Sequence, residues 1–332
     1  MIPKIMVRVS IGSPRHARAA EGGRVTALCF GPPTGPAGGE AIGHAGEILQ
    51  GAIRDGSGVR RVLVSLPTLG LWSRAEFRPV AGGGLRVLPE WKQKSLRAAR
   101  LTLDALDGGK TSGILEISSN IPICRGFGSS TSDCVAAIRA VAAALRVSVS
   151  PEVIAEIAQA AESSIDGTMF GGQLVAIFHC EGVVCEYFPG PPPDLYALAV
   201  DTAPAGDGIP TDSLHRPEYT SEQIELFEIL LQRLRRAVAE RDLHEIGAVA
   251  SASAGMNEAF APKPHFARVM RVAEETSALG VAAAHSGTVL ALLYAPGTAA
   301  ETCIAMARRL LAESGLPESL LLRTPRPASP AE

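Results

Sequence analysis

From Gly43 onward, apolar positions follow two alternating periods, and they predict strands interleaved with helices. Residues 60–66 and 71–80 read as two strands parted by Pro67 and Gly70. A Gly82-Gly83-Gly84 turn separates them from a short strand at 85–88. Residues 92–106 repeat apolar positions at helical spacing, with Arg97 and Arg100 on the opposite face. The β-branched run 113–119 then leads through a glycine turn into the alanine-rich run 134–145, which is strand, turn and helix. Pro151 opens a further helix to Ala161 with Ser150 as its N-cap. Residues 174–180 and 183–188 pair as a hairpin across Glu181-Gly182.

The proline-rich stretch 189–194 is the strongest composition break in the middle of the chain, and it places a domain boundary there. Beyond it the pattern predicts a strand at 195–201, an amphipathic helix at 221–240 capped by Ser221, and helices at 242–253 and 265–279. Two β-rich runs, 281–284 and 289–294, flank His285-Ser286-Gly287-Thr288, and a closing helix over 298–313 has Thr298 at its cap. Strands and helices mix in both halves without a strict βαβ period, so the fold class is α+β. Residues 1–39, rich in Gly, Pro, Ala and Arg, read as a loosely ordered extension with a short strand at 25–30, and 325–332 as a tail. The organisation expected is therefore 1–39, 40–190, 191–324 and 325–332.

The 332 residues are 46% hydrophobic and 20% charged, which suits a globular protein with a sizeable core. A net charge of −3 gives no electrostatic case for nucleic acid or an anionic membrane surface. No apolar run approaches the ~18 residues that a bilayer span needs, and Pro3, Arg8, Gly12 and Pro14 break up any signal-peptide pattern. A cytoplasmic location is expected. The six cysteines are scattered in apolar surroundings without metal-ligand spacing, so they read as reduced and buried thiols.

Four islands of polar residues and glycine carry candidate chemistry. The first is Pro122-Ile-Cys124-Arg125-Gly126-Phe127-Gly128-Ser129-Ser130-Thr131-Ser-Asp133. Its glycines let the backbone approach a ligand closely, and its hydroxyls open a helix whose free N–H groups favour an anion. It serves either as a phosphate cradle or as an ordinary capped turn. The second holds Glu162 near a helix end and Asp166 in a loop, a pair able to converge on a cation or phosphate, or simply to end a helix and hold a turn. The third is the His285–Thr288 turn, which suits a ligand-facing site and equally a satisfied β-turn. The fourth is His44 and Glu47, bracketed by glycines ahead of the first firm strand, where a polar turn is the alternative. Lys92 and Lys94 either contact a nucleotide or solvate their helix face.

Other motifs fail on spacing. Gly109-Lys110-Thr111 lacks the upstream glycine of a P-loop, since position 104 is Asp. Gly126-Phe-Gly128 has Thr131 where a dinucleotide fingerprint needs a third glycine. A hydrolase triad of Ser129, His285 and Asp166 lacks the Gly-x-Ser-x-Gly elbow.

Taken in order, the four islands resemble the GHMP kinases, whose central signature runs Pro-x-Gly-x-Gly-Leu-Gly-Ser-Ser-Ala. Here Cys124, Phe127 and Thr131 depart from it, while Gly126, Gly128, Ser129 and Ser130 match. Within the family, Gly46-Glu-Ile-Leu-Gln-Gly51, Ser129-Ser-Thr-Ser-Asp133 and Ala284-His-Ser-Gly-Thr288 look like the L-threonine kinases of cobalamin biosynthesis. The resemblance implies a two-domain architecture, a ribosomal protein S5 domain 2-like N-terminal lobe and a ferredoxin-like C-terminal lobe, with ATP and Mg²⁺ as cofactors. It implies that the segment Pro122 to Thr131 holds the ATP phosphates, and that Ser130 and Glu162 hold Mg²⁺. Asp166 would orient or deprotonate the acceptor hydroxyl, unless positioning and charge neutralisation act without a base. His44, Glu47, His285, Ser286, Gly287 and Thr288 would shape the acceptor pocket. The acceptor implied is a small molecule, threonine or another hydroxylated metabolite such as homoserine. A nucleotide-binding regulator without catalysis is the reading from another class. Monomer and homodimer both stay open.

Overall fold

The computed structural model describes residues 35–206, 208–209 and 218–325. The strand expected at 25–30, and all of the tail beyond residue 325, lie outside the described residues. Mixed helix and strand content is as expected. Strand β1 (Ala37–Asp55) and strand β2 (Gly58–Pro79) form one long antiparallel hairpin. Asp55 closes its turn by accepting the Ser57 N–H at 2.8 Å. The remaining strands are β3 (Leu85–Leu88), β4 (Gly113–Ser119), β5 (Val175–Phe178), β6 (Val183–Tyr187), β7 (Tyr196–Asp201), β8 (Gly280–Ala283), β9 (Val289–Tyr294) and β10 (Ser319–Arg323). They hydrogen-bond in the order β1-β8-β9-β7-β10-β2-β4-β3, with β5 on β2 and β6 on β5. Because β1 also pairs with β2, six of these strands close a ring that includes residues from both sides of the proline-rich break.

Among the described residues seven α-helices cover the sheet: α1 (Gln93–Asp107), α2 (Ser129–Ala144), α3 (Pro151–Ala161), α4 (Ser221–Glu240), α5 (Leu243–Asn257), α6 (Phe266–Glu275) and α7 (Thr298–Glu313). Among the described residues none is long and apolar enough to cross a membrane. Burial explains their placement. Ten of the sixteen residues of helix α2 are alanine or β-branched, and twelve of its positions are buried, so α1 and α3 can pack around it over β1, β2 and β4. A second cluster joins Ile48, Leu49, Val64 and Leu66 of the hairpin to Phe227, Leu231 and Val249 of α4 and α5. A third lies between α6, α7 and the strands β8 and β9.

Several sequence expectations change. The hairpin strand β2 runs straight through Pro67, because Pro67 faces His44 where the β1 register slips and no ladder N–H is needed. The segment around His44 and Glu47 is therefore the buried middle of β1 instead of a turn before the first strand. Order begins earlier than residue 40, with β1 starting at Ala37. Strand β10 was not expected. Thr220, not Ser221, caps α4 through a capping box with Gln223. Gly297 precedes α7 without a side-chain cap, so Thr298 is already inside the helix. The helix expected over 265–279 ends at Glu275.

Gly51 shows how tightly the halves meet. A Cβ there would lie 2.4 Å from the ring of the fully buried Phe227. Gly51→Ala is expected to cost about 1–3 kcal/mol by overpacking, read as a lower urea midpoint with an unchanged slope.

Candidate active site

Strand β4 ends at Ser119 and the chain reaches α2 through a tight loop whose last residue, Gly128, is left-handed at φ 78°. No side chain caps α2, and no acidic residue sits in its first turn. Its first intrahelical bond runs from Ser132 N–H to Gly128 O at 2.9 Å. The N–H groups of Ser129, Ser130 and Thr131 are thus the donors a helix start leaves over, and they sit at the positive end of its dipole. A cleft lies in front of them. Both loop glycines are there for closeness. A Cβ on Gly128 would stand 2.5 Å from His44 Cδ2 and 2.6 Å from Asp166 Oδ2, and one on Gly126 would stand 2.2 Å from Ser286 O.

Glu162 follows the last residue of α3 and accepts hydrogen bonds from Ser130 Oγ at 2.5 Å and Thr131 Oγ1 at 2.7 Å. Lys94 Nζ approaches it to 3.7 Å. Burial outweighs these partners and pushes the Glu162 carboxyl up to about 7. Asp166 accepts the Thr168 N–H through Oδ1 at 2.9 Å and places Oδ2 3.4 Å from His44 Nε2. His44 Nδ1 in turn lies 3.7 Å from Glu47 Oε1. All three side chains are buried. Burial opposes the imidazolium, yet the carboxylates of Glu47 and Asp166 overcome it and hold His44 at about 9. Burial likewise pushes Glu47 upward. The bulged register of β1 makes this possible, since it lets His44 N–H leave the ladder and donate to Phe127 O at 3.1 Å.

The second half closes the cleft with His285 and Ser286. Their neighbours do other work. Thr288 N–H and Val289 N–H both donate to Arg125 O, at 3.0 and 3.1 Å, and Thr288 Oγ1 donates to Asp201. A Cβ on Gly287 would sit 2.2 Å from Arg125 C. Arg125 turns its guanidinium to Asp201 at 3.1 Å and to the carbonyls of Ala203 and Gly206. Gly287, Thr288 and the Arg125 side chain therefore tie the two halves together, and none of them lines the cleft. Phe127 is core, and Pro122 is also outside the lining. The expected residues His44, Glu47, Cys124, Gly126, Gly128, Ser129, Ser130, Thr131, Glu162 and Asp166 do converge on it.

Lys92 and Lys94, which the sequence left between nucleotide contact and a solvated helix face, both line the cleft, and Trp91 beside them was not read from sequence. Lys92 is buried and ion-pairs with Asp133, whose other oxygen accepts from Ser73 Oγ at 2.6 Å. Trp91 stands exposed at the rim with Lys92 Nζ 4.5 Å above its ring. The only sequence signal was a Trp-Lys-x-Lys run just ahead of a helix. Among the described residues no three His, Cys, Asp or Glu side chains cluster as a metal site. The oxygen pair Ser130 and Glu162 nevertheless suits Mg²⁺, which takes one or two carboxylates and completes its shell with waters and substrate phosphate.

An uncapped helix end, hydroxyls and two carboxylates thus share one cleft of an α+β fold. Residues 93–182 match the GHMP kinases N terminal domain. Over 185 residues the chain is 29% identical to L-threonine kinase of Salmonella typhimurium, covering 54% of this chain and 59% of that one. The chain thus spans less than two thirds of that relative's length. It is 25% identical over 266 residues to 4-diphosphocytidyl-2-C-methyl-D-erythritol kinase of Pelotomaculum thermopropionicum, covering 76% of this chain and 87% of that one. In fold it is similar to homoserine kinase from Cytophaga hutchinsonii, with a TM-score of 0.69 at 16% identity over 90% of this chain and 97% of the other. Residues 93–182 are thus similar to the GHMP kinase N-terminal domain, and the relatives and the solved structure named here are all kinases.

Glu162 makes a thermodynamic prediction. Its folded carboxyl titrates at about 7 instead of 4.5. Proton uptake thus favours the fold fully below pH 4.5, and that contribution is lost as pH rises through 7. Glu162→Gln, neutral at every pH, is expected to melt higher than the parent at pH 8, with the gap closing towards pH 5, as followed by thermal unfolding without ligand.

Proposed function

We propose that this protein transfers the γ-phosphoryl group of ATP to the hydroxyl of a small amino-acid-like acceptor. L-threonine is the favoured acceptor, giving O-phospho-L-threonine for cobalamin biosynthesis. The observation carrying the reading is that Glu162 and Asp166 both stand against the open end of α2, Glu162 on the Ser130 and Thr131 hydroxyls and Asp166 on His44. The free N–H groups of α2 would receive phosphate oxygens. Ser130 and Glu162 would hold Mg²⁺, which when bound neutralises phosphate charge. Asp166 would take the proton of the acceptor hydroxyl as its oxygen forms the new P–O bond and ADP leaves with the electrons of the broken one. His44, positively charged at neutral pH, would hold Asp166 in place. Residues 40–190 serve in this reading as the nucleotide-holding lobe and 191–324 as the lobe completing the acceptor side.

Threonine is favoured because the similarity to L-threonine kinase is joined by the Ser129–Asp133 and Ala284–Thr288 segments, of which Ser129, Ser130, Thr131, Asp133, His285 and Ser286 line one cleft. ADP release measured over threonine, serine, homoserine, mevalonate and 4-diphosphocytidyl-2-C-methyl-D-erythritol tests this, with highest kcat/KM expected for threonine. Release with none of them would favour a nucleotide-binding regulator. Asp166→Ala is expected to lower kcat by about 10²–10⁴-fold with ATP affinity retained. Intact turnover in that variant would remove Asp166 as the base.

A further inference from the structure

One ring in the cleft has its tautomer set by a neighbour, Gln50, that the reaction above does not use. His285 follows β8, with Nδ1 3.1 Å from Gln50 Oε1. Gln50 is buried, and its side-chain Nε2 donates to Ala283 O at 3.2 Å. Turning that amide over would set its oxygen against a carbonyl, so Oε1 is the atom facing His285. The Gln50 backbone is pinned as well, its N–H on Ser253 Oγ at 2.9 Å and its carbonyl accepting from Asn257 Nδ2 at 2.8 Å. Gln50 Oε1 can only accept, so His285 Nδ1 carries the proton and Nε2 keeps its lone pair.

Three further facts bear on that lone pair. Burial, together with the charges of Lys263, Arg61 and His44, holds the imidazole down to about 4, so the ring is neutral at physiological pH. His179 packs edge-on against it with ring centroids 4.7 Å apart, and its own Nδ1 is 2.7 Å from Ser164 Oγ. The ring is therefore fixed on two sides. Among the described residues Nε2 has no hydrogen-bond donor, and the same cleft contains Glu47, whose Oε2 is buried without a hydrogen-bond partner. A part-buried ring nitrogen with its lone pair free and a buried carboxylate oxygen without a partner, both in one cleft, suit a donor-rich ligand group.

We infer that His285 Nε2 accepts a hydrogen bond from the ammonium group of the acceptor substrate, with Gln50 as the positioning residue that fixes its tautomer. The inference rests on the kinase reading and adds the criterion by which the site selects an amino acid over the same alcohol without its amine. The cations that hold His285 neutral are answered, for such a zwitterion, by its own carboxylate.

The experiment compares kcat/KM for L-threonine and for its deamino analogue 3-hydroxybutyrate of matching configuration, in the full chain. The parent is expected to prefer threonine by about tenfold or more, as for a hydrogen bond to a charged group. His285→Ala is expected to lose that preference through the KM for threonine, with the KM for ATP unchanged, and Gln50→Leu to move the same way by less. In the parent, ¹⁵N NMR is expected to show His285 as the Nδ1–H tautomer. An Nε2–H tautomer, or undiminished preference in His285→Ala, overturns the inference while the kinase reading stands. No turnover of any hydroxyl acceptor by the parent overturns both. The parent spectrum needs no substitution, so a variant that fails to fold leaves the tautomer decided.

Discussion

The site depends on how closely the start of α2 approaches the bulged middle of β1. At Gly128 there is no room for even one carbon beyond the backbone, because His44 and Asp166 occupy the place a Cβ would take. That approach brings a positive helix end, an imidazole and a carboxylate within a few ångströms of each other. It is stabilised by the bond from His44 N–H to Phe127 O and by burial of Phe127 beneath the loop. Because the helix end is left uncapped, its donors stay available to a ligand instead of being consumed by the protein.

Charge in the cleft is balanced in local groups. His44 lies between Glu47 and Asp166, Lys92 is matched by Asp133, and Lys94 approaches Glu162. Each pairing keeps a buried charge tolerable. Glu162 is the group least suited to its surroundings, as its raised carboxyl shows. A buried carboxylate held by two hydroxyls is costly without a cation, which is the physical case for the Ser130 and Glu162 pair as the Mg²⁺ position in the proposed function.

The halves are joined by more than the chain crossing at 189–194. Arg125 leaves the glycine loop to bind Asp201 and the carbonyls of Ala203 and Gly206, while Thr288 and Val289 grip the Arg125 carbonyl. Residues that a motif reading places on a ligand therefore hold the second half against the first. The division of labour inside the motif depends on which side chains face the cleft.

The sequence by itself determined what nearest neighbours along the chain decide. The strand before the glycine loop, the alanine-rich helix after it and the Ser150 cap of α3 follow from spacing, turn chemistry and propensity within a few residues. The four polar islands were legible too, since polar residues among glycines stand out in an apolar chain. What it did not contain was the pairing of distant groups. Sequence left His44 between a site and a polar turn because its burial depends on a bulge opposite Pro67, and left Lys92 between a ligand contact and a solvated face because Asp133 lies forty-one residues away. Gln50 meets His285 across 235 residues. The protonation of His44, Glu162 and His285 is set by burial and by charges that only the folded chain brings together, so tertiary structure alone decided it.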